Sequence, residues 1–155
     1  MRLATATAAA VIVLDQVSKF AVVRGLDLDT RRAIDVFPPF LNFRMAWNQG
    51  VNFGLFANSA DLMRWLLIAL ALAISAWVWL WVRREPHSRV VNIAAGLVIG
   101  GALGNVIDRL IYGAVADFLN MSCCGITNPF SFNIADVAIF LGALGLVAFG
   151  GQKTP

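Results

Sequence analysis

Apolar residues gather into four long runs along the chain, Leu3 to Val23, Leu62 to Val82, Val90 to Tyr112 and Phe132 to Phe149, and polar residues return between them. A helix rises about 1.5 Å per residue and a bilayer's hydrocarbon core is about 30 Å thick, so roughly 20 apolar residues cross it. The first three runs reach that length and the fourth comes close. Backbone groups in lipid must bond internally, which permits helices or a closed barrel, and four runs of helix length do not close a barrel. The pattern therefore predicts an all-α membrane protein, a four-transmembrane-helix antiparallel bundle. The first run follows Arg2 and is alanine-rich, like a secretory leader. Asp15 and Lys19, however, stand where a leader would carry its small-residue cleavage site, so the run reads as a retained span.

The connections refine this picture. Within the segment 24–61, Pro38-Pro39 is followed by the alternating, aromatic stretch Phe40-Leu-Asn-Phe-Arg-Met-Ala-Trp47, which predicts short strands. Gly50 and Gly54 interrupt the chain beyond Trp47, so Asn48 to Phe56 is expected to be turn-rich and partly membrane-dipping. The segment 113–131 contains Gly125 and Pro129 and is not one continuous helix. The second run ends in Trp77, Trp79 and Trp81, which suits an interfacial belt, and the short loop after it holds Arg83, Arg84 and Arg89. The longer connection carries Arg24, Arg31, Arg32 and Arg44, but density in the short loop weighs more. That loop is expected inside, with both termini, and the two longer connections outside. No repeat or linker divides residues 1–155, and one domain is expected.

Composition agrees with a membrane as solvent: 59% of residues are hydrophobic, 14% are charged and mean hydropathy is +0.75. A soluble domain has about a quarter of its residues charged. The net charge of +3 comes from twelve basic residues scattered between apolar runs, with no stripe for nucleic acid. Cys123, Cys124 and His87 make neither a disulfide framework nor a zinc site, and the adjacent cysteines read as packing residues. No metal or cofactor is expected.

The polar residues inside the apolar runs carry the chemistry. In this orientation Asp15 and Lys19 lie in the outer half of the first span, and Asn105, Asp108 and Arg109 at the outer end of the third. Asp117 follows just beyond, and Asn133 and Asp136 begin the fourth. An ionisable group costs about 2.5–3.5 kcal/mol at a helix centre in lipid, so these groups should face inward and toward one another. Several have structural readings. Asp15 and Lys19 are spaced as an i, i+4 ion pair. Asp108 and Arg109 can anchor a helix end, and Asn105 shares a face with Arg109. Gly96, Gly100 and Gly104 are small-xxx-small steps, a packing signal expected to bring the third span close to the fourth. Asp117 and Asp136 lack such a reading, because each sits in apolar sequence without a neighbouring cation. Asn133, three residues before Asp136, can bond its carboxyl. Two carboxyls held close share a proton, and one then acts as base toward water while the other acts as acid.

These residues fall in ordered motifs: Asp15-Gln-Val-Ser-Lys19, Asn48-Gln-Gly50 with Phe53, Gly100-Gly-Ala-Leu-Gly-Asn-Val-Ile-Asp-Arg109, Gly113-Ala-Val-Ala-Asp-Phe118 and Phe132-Asn-Ile-Ala-Asp136. Together they span nearly the whole chain and resemble the lipoprotein signal peptidases, or signal peptidase II, which are bacterial intramembrane aspartyl proteases. The resemblance implies that Asp117 and Asp136 form the catalytic dyad. It also implies that Asn48, Gly50, Asn105, Arg109 and Asn133 line or support the substrate site, and that Asp15, Lys19 and Asp108 hold it together. The implied reaction removes signal peptides from diacylglyceryl-modified prolipoproteins, immediately before the lipidated cysteine. The implied setting is the bacterial inner membrane, with a β-cradle and the active site toward the periplasm, the membrane lipid as a partner, a monomeric enzyme and no cofactor. Asn52 departs from the small residue more usual there.

Two other classes are compatible with the residues alone. Intramembrane carboxylates also serve proton-coupled transporters, although the broken helices and paired repeats of those folds are missing from the pattern. A purely structural bundle would use the same groups for stability. Cleavage of a lipidated prolipoprotein separates the first reading from both.

Overall fold

The computed structural model describes residues 1–50 and 59–151. The expectations for Asn52, Phe53 and Gly54, and for most of the turn from Asn48 to Phe56, fall on residues outside that description. The described elements are α1 (Arg2–Lys19), which continues as a wider π-helical turn over Phe20–Gly25, the short α2 (Leu28–Arg31), β1 (Ala33–Phe37) and β2 (Leu41–Asn48), then α3 (Ser59–Arg84), α4 (Arg89–Tyr112), β3 (Val115–Asn120) and α5 (Ile134–Phe149). The fold is mostly helical, with a three-stranded antiparallel sheet in the order β1-β2-β3.

Three helical stretches are long and apolar enough to cross a membrane: Arg2–Gly25, Asp61–Arg84 and Arg89–Tyr112. The fourth apolar helix, α5, has 16 residues, or about 24 Å, against about 30 Å of hydrocarbon. It starts at Ile134 rather than Phe132 because Asn133 caps it in extended conformation.

α4 is the central helix, packed against α1, α3 and α5, and it is mostly buried, whereas the first span and α3 are mostly exposed. The glycines explain the closeness, and Gly104 at the outer end of the stripe does meet α5, where a Cβ would lie 3.5 Å from Ala135 Cβ. Gly96 and Gly100 face α1, where a Cβ would stand 2.6 Å from Ala4 O and 2.7 Å from Ala8 O. Gly101 makes the approach to α5, where a Cβ would run into Ala135 O. Successive helical residues point about 100° apart, so Gly96 and Gly100 serve one partner and Gly101 another. Leu66, Leu70 and Trp77 on α3, with Phe140, Leu144 and Val147 on α5, remain exposed as an apolar exterior. Trp79 and Trp81 instead pack on the Val78, Val82 and Ala95 cluster, leaving Trp77 as the outward member of the trio.

The sheet sits at the end of the bundle where α1 and α4 finish and α5 begins. Gly113 adopts φ +77° and ends α4, its N–H donating to Arg109 O, which turns the chain directly into β3. β3 then pairs with β2 in a register that sets Asp117 opposite Ala46 and Val115 opposite Asn48. Phe118, Leu28, Val23 and Ala116 form a small core between the sheet and the end of the first helix. Cys123 and Cys124 are exposed and free, not packed. They lie in a turn where Cys124 takes φ +59° and Gly125 φ +80°.

Candidate active site

Asn133 is the residue on which the site is built. Its side-chain oxygen accepts from Asp136 N at 2.9 Å while its backbone N–H donates to Asp136 Oδ2 at 3.2 Å, a reciprocal capping box that starts α5. The i, i+3 spacing in the sequence suggests that Asn133 lies on the helix face with Asp136. The structure instead makes it the N-cap, so its amide is free to turn toward β3. There Nδ2 donates to Asp117 Oδ1 at 2.6 Å. One asparagine therefore bonds both carboxylates, Asp117 by its side chain and Asp136 by its main chain.

The other oxygens are also engaged. Asn48 Nδ2 donates to Asp117 Oδ2 at 3.1 Å, and Asn105 Nδ2 donates to Asp136 Oδ1 at 2.9 Å. Gly50 N–H donates back to Asn48 Oδ1 at 3.0 Å, which orients that amide. Gly50 has φ +88°, and a Cβ on it would lie 2.7 Å from Leu67 Cδ1, so a side chain here is opposed by both backbone and α3. Arg109 Nη1 donates to Asn105 O at 3.3 Å, and its Nε is buried without a partner. Asp117 is 3% exposed. Burial and the nearby Asp136 charge push its carboxyl up from 3.8 to about 6, against the Asn48 and Asn133 hydrogen bonds and the more distant Lys19, which favour the ionised form.

Behind the pair lies a second set of buried charges. Lys19 Nζ stands 2.7 Å from Asp15 Oδ2 and 2.8 Å from Asp108 Oδ2. The expected i, i+4 pair is present, and it extends to α4, where Asp108 takes Lys19 as its partner. Arg109 forms no ion pair with Asp108. Each carboxylate also holds a backbone N–H: Ala135 N donates to Asp15 Oδ1 at 3.0 Å, and Ala116 N donates to Asp108 Oδ2 at 3.0 Å. Ala135 and Ala116 immediately precede Asp136 and Asp117. Gly104 leaves room for this network, since a Cβ there would be 2.9 Å from Asp15 Oδ2. Gln16, not among the site residues expected from the sequence, joins this network. Its Nε2 donates to Asp108 Oδ1 at 2.9 Å and Asp15 Oδ2 at 3.2 Å. An amide beside an aspartate in an apolar run was the available signal. Among the described residues, no three His, Cys, Asp or Glu side chains gather to hold a metal ion.

A groove leads away from the pair. α3 and α5 both lie on α4 and leave space between them, about 200 Å³ beneath Asn105 and Arg109 and about 510 Å³ farther along, with Ile74 and Val98 lining both parts. Its walls are mainly aliphatic and aromatic, and its polar residues are at the carboxylate end.

A family model described as signal peptidase (SPase) II matches residues 7–150. The chain belongs to the signal peptidase II family. A lipoprotein signal peptidase of Methylobacterium sp. (strain 4-46) is 41% identical over 145 residues, covering 94% of this chain and 86% of the relative. One from Methylorubrum extorquens (strain PA1) is 44% identical over 146 residues, covering 94% and 84%. A solved bacterial membrane enzyme superposes with a TM-score of 0.81 at 24% identity, covering 99% of this chain and 96% of its own, and so shares the fold. The signal peptidase II family consists of aspartic-type proteases, and this chain is a membrane enzyme of that type.

Proposed function

We propose that the chain is an aspartic endopeptidase that removes signal peptides from diacylglyceryl-modified bacterial prolipoproteins, cutting immediately before the lipidated cysteine, with Asp117 and Asp136 as its catalytic pair. The observation that carries this reading is the single asparagine, Asn133, bonded to both carboxylates. In this reading two carboxyls joined through one residue share a proton, which equips one as base and the other as acid.

In the reaction, the ionised carboxylate takes a proton from a water as the water oxygen adds to the scissile carbonyl carbon. The protonated partner gives its proton to the carbonyl oxygen, forming a diol. As the diol collapses, the first aspartate passes its proton to the departing cysteine nitrogen and the C–N bond breaks. The second aspartate recovers a proton from a diol hydroxyl as the new carboxyl group forms, returning the pair to one shared proton. Asn48 and Asn105 orient the two carboxylates, and Gly50 holds Asn48 in place. Arg109 offers its unpartnered Nε to a substrate carbonyl. Asp15, Lys19, Gln16 and Asp108 fix the backbone beside each catalytic group.

The groove between α3 and α5 suits the apolar signal segment of a substrate that stays in the bilayer, because its polar end meets the scissile bond at the membrane boundary. The same reading has one domain and four spans, α5 being the fourth, in the bacterial inner membrane. Both termini are cytoplasmic, the active site faces the periplasm, lipid surrounds the bundle and the enzyme acts as a monomer.

Asp117→Asn and Asp136→Asn, each purified in detergent and offered a lipidated prolipoprotein, should lose at least about 10³-fold in cleavage, as expected when either member of an acid–base pair is removed. Both should still insert in the membrane. Near-normal cleavage by either variant would remove that residue from the mechanism.

A further inference from the structure

Apart from the carboxylate pair, the described residues enclose a cavity of about 570 Å³ between the turn joining β1 to β2 and the segment 122–129. Its lining mixes prolines and Ile126 with the amides of Asn42, Asn120 and Asn128, and carries little free charge, since Arg44 and Asp35 on its wall form an ion pair with each other. The wall is also held in place. Asn120 Nδ2 donates to Asn128 O at 2.8 Å and Phe130 O at 2.9 Å, and Asn128 N donates to Ser122 Oγ at 3.0 Å. Asn42 is the exception to this satisfaction. It is 7% exposed and its Nδ2 donates to Pro39 O at 3.2 Å, but its Oδ1 is buried without a hydrogen-bond partner. A buried acceptor is costly to leave unpaired, so this oxygen marks a place where a donor is to arrive.

We propose that this cavity binds the polypeptide that follows the cleavage point in the substrate, with a main-chain N–H of that segment donating to Asn42 Oδ1. The inference rests on the proteolytic function proposed above. β2 links the two places: Asn48 bonds the Asp117 carboxylate at one end of the strand, and Asn42 lines the cavity at the other. Six residues of strand separate them, roughly 20 Å. An extended substrate needs about six residues to cover that distance, so the cavity receives the chain some six residues beyond the cut. The paired charges set no demand for an acidic or basic side chain. Recognition through the main chain likewise sets no demand on the side chains of that segment.

The test compares two synthetic diacylglyceryl-modified substrates, one ending about three residues after the cysteine and one extending about ten, so that only the second reaches the cavity. The intact enzyme should show a lower KM for the longer substrate. Asn42→Leu removes the acceptor, and with it the Nδ2 bond to Pro39 O, with little change in size, and Thr127→Trp fills the cavity from an exposed position. Asn42→Leu should raise KM for the longer substrate about three- to tenfold, the scale of one lost hydrogen bond, Thr127→Trp should raise it to the value for the shorter substrate, and both should leave kcat unchanged. Kinetics on the shorter substrate should match those of the intact enzyme. Equal KM values for the two lengths, or equal impairment of both substrates by the variants, overturn the cavity's role and leave the proteolytic reading standing. Failure of the intact enzyme to cut either substrate overturns both.

Discussion

The amide side chains decide how the proposed carboxylate pair behaves. Asn48 and Asn133 both donate to Asp117 and stabilise its charged form, while burial and Asp136 oppose that form and win, leaving the carboxyl at about 6. A carboxyl raised on folding keeps its proton in the folded protein at pH values where the unfolded chain has lost it. The stability this proton contributes is fully present below 3.8 and is lost as pH rises through about 6. For activity the relevant quantity is the pair's single proton, so kcat/KM should fall on the alkaline side as that proton leaves. Replacing Asn48 by Ala removes a bond that favours ionisation. The alkaline limb of the kcat/KM profile should therefore move to higher pH, apart from any loss in overall rate. An unmoved or lowered limb would contradict this account of Asn48. The two isolated aspartates were legible in the sequence because apolar neighbours give them no other partner. Their meeting was not, since it depends on Asn133 leaving the helix to serve as its cap, a backbone event that i, i+3 spacing does not reveal.

At the scale of elements, the ion cluster is a lashing of four segments. Lys19 on α1 draws Asp108 of α4 to Asp15, and the two carboxylates grip backbone N–H groups at Ala116 in β3 and Ala135 in α5. Removing the cation leaves two buried carboxylates facing each other, and breaking a buried pair in this way costs about 3–5 kcal/mol. Lys19→Met should accordingly lower the thermal unfolding temperature in detergent. Adding Asp108→Asn should return part of the loss, because one of the stranded charges is then gone. A double variant less stable than the single one would show that charge is not what the cluster balances. Gly104→Ala tests the same lashing sterically, and should also destabilise by crowding Asp15 Oδ2 at 2.9 Å. The i, i+4 pair was readable from sequence spacing. Its extension to Asp108 was not, nor was the helix that each glycine faces. Small residues announce a close approach without naming the partner, and here Gly96 and Gly100 meet α1 while Gly101 meets α5.

Across the whole molecule, the sheet, the carboxylate pair and the long loop 121–131 all lie at one end of the bundle. The arginine-bearing turn between α3 and α4 lies at the other, because these two long helices are joined there by a short connection. β2 was legible as alternation after Pro38-Pro39, whereas β1 precedes those prolines and lies outside the stretch that gave the signal. In the proposed four-span arrangement α5, about 24 Å long, would present its exposed Phe140, Leu144 and Val147 to lipid. The proposed orientation can be read from the native cysteines. Cys123 and Cys124 are free and exposed at the sheet end, and the described residues contain every cysteine of the chain. If basic residues in the short loop hold that turn in the cytoplasm, both thiols face the periplasm. A membrane-impermeant maleimide added to intact spheroplasts after mild reduction should label the protein without lysis, and Cys123→Ser/Cys124→Ser should abolish the signal. A cysteine introduced at Ser88, the cap of α4 in the opposite turn, should label in that cysteine-free background only once the membrane is opened. The reverse pattern would place the carboxylates on the cytoplasmic side, away from a substrate whose mature part has already been exported, and the proposed reaction would fail on topology alone.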